Sequence, residues 1–362
     1  MFELVQLRFG ARFRRAGHPD TLAPVSASAP FPQTDIWLAT PRGYCAGVDR
    51  AIDVVDLAID LYGPPVYVRH EIVHNHFVVE QLKARGACFV EDLDDVPEGS
   101  TIVFSAHGVS PAVRAHAERR RLRPIDATCP LVTKVHLEAV RFAGQGYWLL
   151  LVGHDGHAEV EGTMGEVPER TILIQTVEDA ERVQVPDETR IAYLTQTTLS
   201  IDETKGILDV LRRRFPGIRG PGREDICYAT TNRQNAVKEL AARCDLVLVV
   251  GSPISSNSNR LAEVARAAGV EAHRIDSARD LKPEWLLGKR SIGITSGAST
   301  PESLVRELVS LLEARGAGPA RDLNVTEENV SFRLPGVLAR DVEKSERATE
   351  LLSRYKRTAT TR

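Results

Sequence analysis

The chain has 362 residues, 43% of them hydrophobic and 26% charged, which indicates two or three folded domains rather than global disorder. A formal net charge of −3 excludes a global basic field for nucleic acid or an anionic membrane, and the apolar runs are too short to span a bilayer. Five cysteines are too few for a secreted disulfide scaffold, and their number is odd. We therefore expect the protein to be located in a reducing cytoplasm.

Residues 1–33 differ in composition from the rest of the chain. They contain four arginines, then a stretch rich in Pro, Ser and Ala, and few acidic residues. Transit peptides share this composition, and so do extensions without fixed structure. We expect the second, a disordered extension.

From Asp35 onward, short β-branched runs alternate with amphipathic stretches, which predicts an α/β fold. One order of elements, a helix, three strands and a second helix, occurs three times. The opening helices are predicted at 49–62, 130–143 and 232–243. The strands are predicted at 66–70, 87–90 and 101–106, at 147–153, 171–175 and 191–195, and at 246–251, 271–275 and 291–295. The closing helices follow Pro111, begin at Ile201 and follow Pro301.

This order predicts three pseudo-repeated α/β units and a tail. The units are expected at 47–129, at 130–226, and at 227–316 together with 34–46, with the C-terminal tail at 317–362. The repeat lies in the order of the elements alone, and the side chains at matching positions differ between the units.

Three cysteines precede the opening helices of the units: Cys45, Cys129 and Cys227. If the units pack around a pseudo-threefold centre, the three thiols meet there, at helix N-termini that favour the thiolate. Pro130 suits a first helical position, and Asp49 and Thr231 are the expected caps of the other two helices.

The other two cysteines, Cys88 and Cys244, lie beside strand starts. Free cysteine is among the most buried residue types, so we interpret both as small buried hydrophobic residues.

Three convergent thiols are compatible with more than one centre. An iron–sulfur cubane held by three thiolates would leave one iron open to substrate. A zinc site would need further ligands, and the close cysteine pairs of zinc fingers do not occur here. Three unrelated buried cysteines are the third possibility.

Polar segments follow the first and third strand of every unit. They are HEIVHNH, GHDGHAEVEG and GSPISSNSN after the first strands, and SAHG, TQTT and TSGAST after the third. Ligands of open α/β sheets bind at these strand ends, and small donors at helix N-termini can hold phosphate without a P-loop lysine. Within GHAEVEG, Glu159 or Glu161 could donate a proton if burial raises its pKa.

Several long motifs together resemble the 4-hydroxy-3-methylbut-2-enyl diphosphate reductases of the methylerythritol phosphate isoprenoid pathway. They are PRGYCAGVDRAI, EIVHN, FSAHGVSP, DATCPLV, GHAEVEGTMGE, TQTTLS, DICYATTNRQ, SSNSNRL and TSGAS, in the order and spacing of the family. The resemblance runs from about Trp37 to about Thr300, with a weaker part to about Pro335. Ala158 stands where many members have proline, and residues 1–33 and those after about Pro335 have no evident counterpart.

The resemblance implies a three-lobed trefoil with one 4Fe-4S cluster at its centre, held by three cysteines, the fourth iron open to substrate. By matching position it implies the following roles: cluster ligation by Cys45, Cys129 and Cys227; substrate contacts by His74, His107 and His157; diphosphate binding by Ser255, Ser256, Asn257 and Ser299; a place near the substrate hydroxyl for Thr197; and proton delivery by Glu159.

The implied reaction is a two-electron reductive dehydroxylation that yields isopentenyl and dimethylallyl diphosphate, the last step of that pathway. A ferredoxin or flavodoxin would supply the electrons. From the residues alone, two alternatives remain: a non-catalytic iron–sulfur electron carrier or sensor, and a zinc-dependent hydrolase of a phosphorylated substrate.

Overall fold

The computed structural model describes residues 34–353, so the extension predicted at 1–33 lies outside the described residues. Twelve strands within that range form three sheets, in which every pairing is parallel. The strands are β1 Asp35–Thr40, β2 Val66–Arg69, β3 Ala87–Val90, β4 Thr101–Phe104, β5 Arg123–Asp126, β6 Trp148–Val152, β7 Thr171–Ile174, β8 Ile191–Thr195, β9 Leu246–Val250, β10 Glu271–Ile275, β11 Ser291–Ser296 and β12 Arg321–Asn324.

Helices separate the strands along the described chain, as parallel pairing requires. They are α1 Ala46–Tyr62, α2 His76–Arg85, α3 Pro111–Arg119, α4 Pro130–Gly144, α5 Ala158–Met164, α6 Val177–Arg182, α7 Ile201–Arg214, α8 Tyr228–Ala241, α9 Ser256–Ala267, α10 Glu302–Ala314 and α11 Gly336–Lys344. None of them, within residues 34–353, combines the length and apolarity needed to cross a bilayer.

Each predicted unit contributes one sheet. The strand orders are β3-β2-β4-β5, β7-β6-β8 and β10-β9-β11-β1-β12. Strands β8 and β9 are buried along their whole length, because helices cover both faces of their sheets. The fold is therefore three parallel α/β lobes, as the repeat predicts and as the trefoil expectation requires.

The strands absent from the prediction lie at sheet edges or outside the repeat. β5 extends the first sheet beside β4, β1 pairs with β11, and β12 pairs with β1 in the third sheet. Such positions lack the long apolar runs of central strands, since β5 reads RPID and β12 reads RDLN.

Residues beyond 316 pack against two lobes. β12 belongs to the sheet of the third lobe. Leu338 and Val342 of α11 are fully buried in the core of the first lobe, where the Tyr62 hydroxyl donates to Asp341 over 2.7 Å. This segment therefore connects the first and third lobes on their outer side.

The helix caps expected at Asp49 and Thr231 are wrong. The cysteines themselves are the N-caps, with Cys45 before α1, Cys129 before α4 and Cys227 before α8. Asp49 and Thr231 lie one turn further in, where their N–H groups donate to the carbonyls of Cys45 and Cys227. The helices thus begin directly after the cysteines.

Candidate active site

One central cavity of about 100 Å³ lies where the three lobes meet. It is lined by all twelve residues that the sequence singles out. They are Cys45, Cys129 and Cys227, His74, His107 and His157, Glu159 and Thr197, and Ser255, Ser256, Asn257 and Ser299. All of them except Cys227, which follows α7, lie just after the carboxyl ends of strands, and these strands belong to all three sheets.

The three cysteines are held by one repeated hydrogen bond. Each backbone N–H donates to a carbonyl in the polar loop after the third strand of a unit. The pairs are Cys45 to Ala298 at 3.3 Å, Cys129 to Ala106 at 3.0 Å, and Cys227 to Thr197 at 3.1 Å. The thiol-bearing turns and the polar loops therefore form one connected scaffold.

The sulfurs of Cys45 and Cys129 face each other across Gly47. A β-carbon at Gly47 would lie 2.7 Å from Sγ of Cys129 and 3.8 Å from Sγ of Cys45. Any side chain there would collide with the sulfur of Cys129. A glycine at this position keeps the space between the two thiols free.

The spacing of the sulfurs distinguishes between metal centres. Within residues 34–353, Asp92, Asp94 and His116 are the one group of three or more metal-ligating side chains whose ligand atoms all lie within 4.8 Å. At least two of the cysteine sulfurs are therefore farther apart than that. Zn–S bonds of about 2.3 Å place two sulfurs on one zinc no more than about 4.6 Å apart. The three sulfurs as placed are therefore too widely spaced for all of them to bind one zinc ion.

Burial keeps the thiols protonated when no cation is near. It raises the pKa of Cys129 to about 12 and that of Cys227 to about 11, and it also raises the pKa of Cys45. Backbone N–H groups at the helix starts act in the opposite direction, as does Arg233 on Cys45. A bound metal would add enough positive charge to make thiolates of all three.

Three imidazoles pack together beside the thiols. His74 stacks on His107 with ring centroids 4.0 Å apart, and the ring of His157 meets both at 5.3 and 5.9 Å. Each comes from a loop after a different strand, β2, β4 or β6. The group therefore joins the first and second lobes.

Burial favours the neutral form of two of these rings. It lowers the pKa of His157 to about 3 and holds that of His107 well below its usual value, and the neighbouring histidines lower both further. Nδ1 of His157 accepts from the N–H of Glu159 as the cap of α5, which leaves Nε2 as the protonated nitrogen of the neutral ring.

Glu159 is a buried carboxyl, 3% exposed, in the first turn of α5. Its oxygens accept from the backbone N–H of Thr197 at 2.6 Å and from the Thr197 hydroxyl at 3.0 Å. Burial raises its pKa to about 7, although both hydrogen bonds favour the carboxylate. A group with this pKa can give up and regain a proton near neutral pH.

Hydroxyl and amide groups at the start of α9 form the opposite wall. Ser255 caps the helix by accepting from Ser258 N, and Oδ1 of Asn257 accepts from Ala298 N at 3.0 Å. Nδ2 of Asn257 is buried and has no hydrogen-bond partner among the described residues. The Ser299 hydroxyl donates to the carbonyl of His74 over 3.1 Å, which connects this wall to the histidines.

Several residues of the cavity are absent from the predicted set. Thr230 has its hydroxyl 3.2 Å from Sγ of Cys227, and Thr198 donates to Ser256 over 3.2 Å. An apolar wall closes the cavity, formed by Val48, Val73, Leu131 and Val132. Most of these residues lie one to three positions after a residue that the sequence analysis names. Their spacing along the helices could therefore have indicated that they face the same cavity.

The two remaining cysteines behave differently from each other. Cys244 is buried, as predicted. The prediction for Cys88 is wrong, because this side chain is exposed on β3. The strand lies at the edge of the first sheet, and Cys88 points away from the core.

Comparison with known proteins identifies what this chain is similar to. A family profile described as "LytB protein" matches residues 36–313. A relative from Bordetella pertussis, described as 4-hydroxy-3-methylbut-2-enyl diphosphate reductase, is 54% identical over 322 residues, which cover 89% of this chain and 99% of the relative. One from Ectopseudomonas mendocina with the same description is 56% identical over 304 residues, covering 83% of this chain and 97% of the relative.

A solved structure has the same architecture. It is that of the E-1-hydroxy-2-methyl-but-2-enyl-4-diphosphate reductase from Plasmodium falciparum, with a TM-score of 0.84 and 39% sequence identity. The superposition covers 86% of this chain and 99% of that one.

Proposed function

The chain belongs to the LytB protein family, and on that premise we propose that its central cavity catalyses the reductive dehydroxylation of 4-hydroxy-3-methylbut-2-enyl diphosphate. Two electrons and two protons remove the allylic hydroxyl as water, which leaves isopentenyl or dimethylallyl diphosphate. One observation carries the proposal: thiols, a carboxyl with a pKa near 7 and a set of uncharged hydrogen-bond donors line the same cavity.

The family is iron–sulfur dependent, and the finer assignment to this chain is part of the proposal. Cys45, Cys129 and Cys227 would hold one 4Fe-4S cluster, with the fourth iron facing the substrate. The spacing of the sulfurs supports a centre larger than one ion, and the space that Gly47 leaves open supports its position. When bound, the cluster would supply the electrons and a Lewis acid for cleavage of the C–O bond.

Ser255, Ser256, Asn257 and Ser299 would bind the diphosphate. Two observations support this role: the unpartnered Nδ2 of Asn257, and the N-terminus of α9, whose N–H groups favour anions. No lysine or arginine lines the cavity along the described chain. Neutral donors bind a diphosphate less tightly than cations do, so the product can leave after turnover.

Glu159 would deliver a proton to the departing hydroxyl, and Thr197 would place that hydroxyl. The support is geometric, because the Thr197 hydroxyl and the Glu159 carboxyl are already hydrogen-bonded to each other. A substrate hydroxyl at Thr197 would lie next to the proton donor. The protonated form of Glu159 is the competent one, and it is populated up to about pH 7.

His74, His107 and His157 would orient the substrate between Glu159 and the hydroxyl and amide groups at the start of α9. The neutral ring of His157 can donate through Nε2–H, and the packed rings would exclude water from the reacting carbon. A ferredoxin or flavodoxin would provide the electrons. The free thiols of all five cysteines support a reducing cytoplasm as the compartment.

The deciding experiment is anaerobic reconstitution with iron and sulfide, followed by turnover of the allylic diphosphate with an artificial one-electron donor. We expect about four iron atoms per chain and formation of both diphosphate products. A chain that binds the cluster without turnover is an electron carrier or sensor. A chain that binds one zinc and no cluster is the hydrolase alternative, which the sulfur spacing disfavours.

A further inference from the structure

A basic residue lies about one and a half turns after each of the three site cysteines. The sequences are C-x4-R at Cys45, C-x4-K at Cys129 and C-x5-R at Cys227, which place Arg50 on α1, Lys134 on α4 and Arg233 on α8. The cations differ in type and exposure, and none of them lines the cavity. Their contacts, however, follow a single pattern.

Arg50 reaches the turn in front of the second cysteine. Its Nη1 donates to the carbonyls of Ala127 and Thr128, both at 3.0 Å, and its Nε donates to Arg333 O at 2.7 Å. The side chain is 8% exposed. The helix that begins at Cys45 thus holds the two residues that precede Cys129.

Lys134 makes the same connection to the third cysteine. Its Nζ donates to the carbonyl oxygens of Arg223 and Glu224 and to Oδ1 of Asp225 at 2.7 Å. The other oxygen of Asp225 accepts from Thr195 N. The helix that begins at Cys129 thus fixes the segment that leads to Cys227.

Arg233 closes the ring. It is fully buried, and its Nε and Nη2 donate to the carbonyl of Gly43 at 3.2 and 2.8 Å, with Nη2 also donating to Tyr44 O at 3.3 Å. Its Nη1 donates to Glu328 at 3.0 Å. The helix that begins at Cys227 thus holds the two residues that precede Cys45.

We propose that Arg50, Lys134 and Arg233 form a cyclic clamp that fixes the spacing of the three cysteines for the cluster. Each cation extends from the helix of one cysteine to the backbone in front of the next, in the order 45 to 129, 129 to 227, and 227 to 45. The proposal rests on the proposed function, since it concerns ligands of the same cluster. It assigns the three cations as positioning residues, none of which contacts the substrate.

The physical cost of the clamp indicates that it has a role. Burying a cation away from water is unfavourable unless its N–H groups find acceptors, and here most of the acceptors are backbone carbonyls at three ligand-bearing turns. A lobe that only needed to pack could use apolar side chains at these positions. Groups that orient metal ligands in this way commonly change metal affinity 10- to 100-fold when removed.

The ring also places three positive charges around an anionic centre. Arg233 acts on Cys45 in the direction that favours the thiolate. Reduction adds negative charge to a cluster bound by thiolates, so nearby cations make reduction easier. Geometry and charge are therefore two separable contributions of the clamp.

Lys134→Met is the first test, because Lys134 is the most accessible of the three. The buried Asp225 carboxyl loses its partner in this variant, so Asp225→Asn is made beside it to measure that loss alone. We expect iron transfer from the anaerobic holoenzyme to a chelator to become about 10- to 100-fold faster. The midpoint potential of the cluster should fall, and its electron paramagnetic resonance signal should broaden. Lys134→Arg should restore most of the iron retention.

The matched control is Lys205→Met, which removes an exposed ion pair with Asp209 on α7 and should leave both iron release and potential unchanged. Arg233→Lys separates the two contributions, because it keeps the charge but loses the planar fork whose separate nitrogens reach Gly43 and Glu328 at the same time. We expect faster iron release at a nearly unchanged potential. Thermal unfolding of each apoprotein identifies any variant that fails to fold, in which case Arg50→Lys provides the same comparison at the next position.

Wild-type iron release and spectra in both Lys134→Met and Arg233→Lys would overturn the clamp. That outcome leaves the proposed function intact, since the wild-type protein would still hold a cluster and turn over substrate. A wild-type protein without cluster or turnover would instead reject the proposed function.

Discussion

The two ends of the cavity differ in how their polar groups are held. The thiol end contains Cys45, Cys129 and Cys227, and the other end, where we propose that the diphosphate binds, contains Ser255, Ser256, Asn257 and Ser299. At the thiol end, the cap of each helix is the cysteine itself, its N–H is bonded to a neighbouring loop, and a cation from another helix holds the turn before it. At the diphosphate end, hydroxyls and one amide line the wall, and Nδ2 of Asn257 is buried without a protein partner.

The two ends differ in whether their buried polar groups already have hydrogen-bond partners within the protein. At the thiol end, the backbone N–H of each cysteine and the turn before it already have hydrogen-bond partners within the protein. At the start of α9, Nδ2 of Asn257 is a buried donor without an acceptor, which costs about 1–3 kcal/mol, and a bound anion would supply that acceptor. Substitutions at the two ends should therefore have different signatures, in iron content at one end and in substrate affinity at the other.

Cys129→Ser should have the largest effect. The hydroxyl is a far weaker ligand for iron than a thiolate, so we expect bound iron and turnover to be lost together. Cys88→Ser makes the same change on exposed β3 and should alter neither. Iron assay and anaerobic turnover of the two variants make the comparison. Retention of both iron and activity in Cys129→Ser would remove this residue from the ligand set.

Glu159→Gln should leave the cluster intact and slow turnover by about 10²- to 10⁴-fold, because the amide oxygen can accept from Thr197 N and the NH₂ group can donate to the Thr197 hydroxyl, but the amide cannot deliver a proton. Glu161→Gln, an exposed acid two residues further along α5, is the matched control and should turn over normally. Single-turnover rates under saturating substrate measure the effect. A rate near the wild-type value in Glu159→Gln would reject this carboxyl as the proton source.

Much of this division can be predicted from the sequence. The buried runs LVLVV and IAYLT can be predicted directly as strands, and the positions of Cys45, Cys129 and Cys227 before the opening helices predict that the three thiols converge. The ligand and substrate roles come from matched motifs and stay predictions, although the structure brings all of those residues to one cavity.

Other features depend on contacts that periodicity does not contain. The exposure of Cys88 follows from an edge position that depends on how β2, β3 and β4 are ordered in the sheet. The basic residues after the cysteines are visible in the motifs, yet a single Arg or Lys on a helix usually indicates a solvated face. Only the long-range hydrogen bonds of Arg50 and Arg233 distinguish them from surface cations.

Asn257→Asp should weaken binding at the diphosphate end by about 10- to 100-fold. The aspartate keeps an acceptor for Ala298 N but replaces the unpartnered donor with a negative charge that repels the anion. Asn259→Asp introduces the same charge two residues further along α9, outside the cavity lining, and should change binding much less. Calorimetric titration of the holoenzyme with inorganic diphosphate compares them. Equal affinities would place the diphosphate elsewhere.

The pH profile tests the carboxyl between the two ends. Because Glu159 must be protonated to donate, and its pKa is about 7, kcat/KM should fall tenfold per unit as the pH rises above 7. Thr197→Val removes one hydrogen bond that stabilises the carboxylate, so the pKa should rise and the falling limb should move to higher pH. Glu159→Gln should lack this limb. A limb that stays in place in Thr197→Val would assign it to another group.

The smallest expected effect is proton uptake when diphosphate binds. Burial and the neighbouring rings keep His107 and His157 neutral, and a bound anion would raise the pKa of both, since it favours their charged forms. Calorimetry of diphosphate binding at one pH, in two buffers with different ionisation enthalpies, gives the number of protons exchanged. We expect less than about one proton taken up near pH 6, and a smaller number at higher pH, because the folded pKa values lie so far below neutrality. His107→Asn should take up less, and this comparison cancels the titration of the ligand itself. Uptake that is identical in the variant would show that His107 stays neutral in the complex and binds as an uncharged donor.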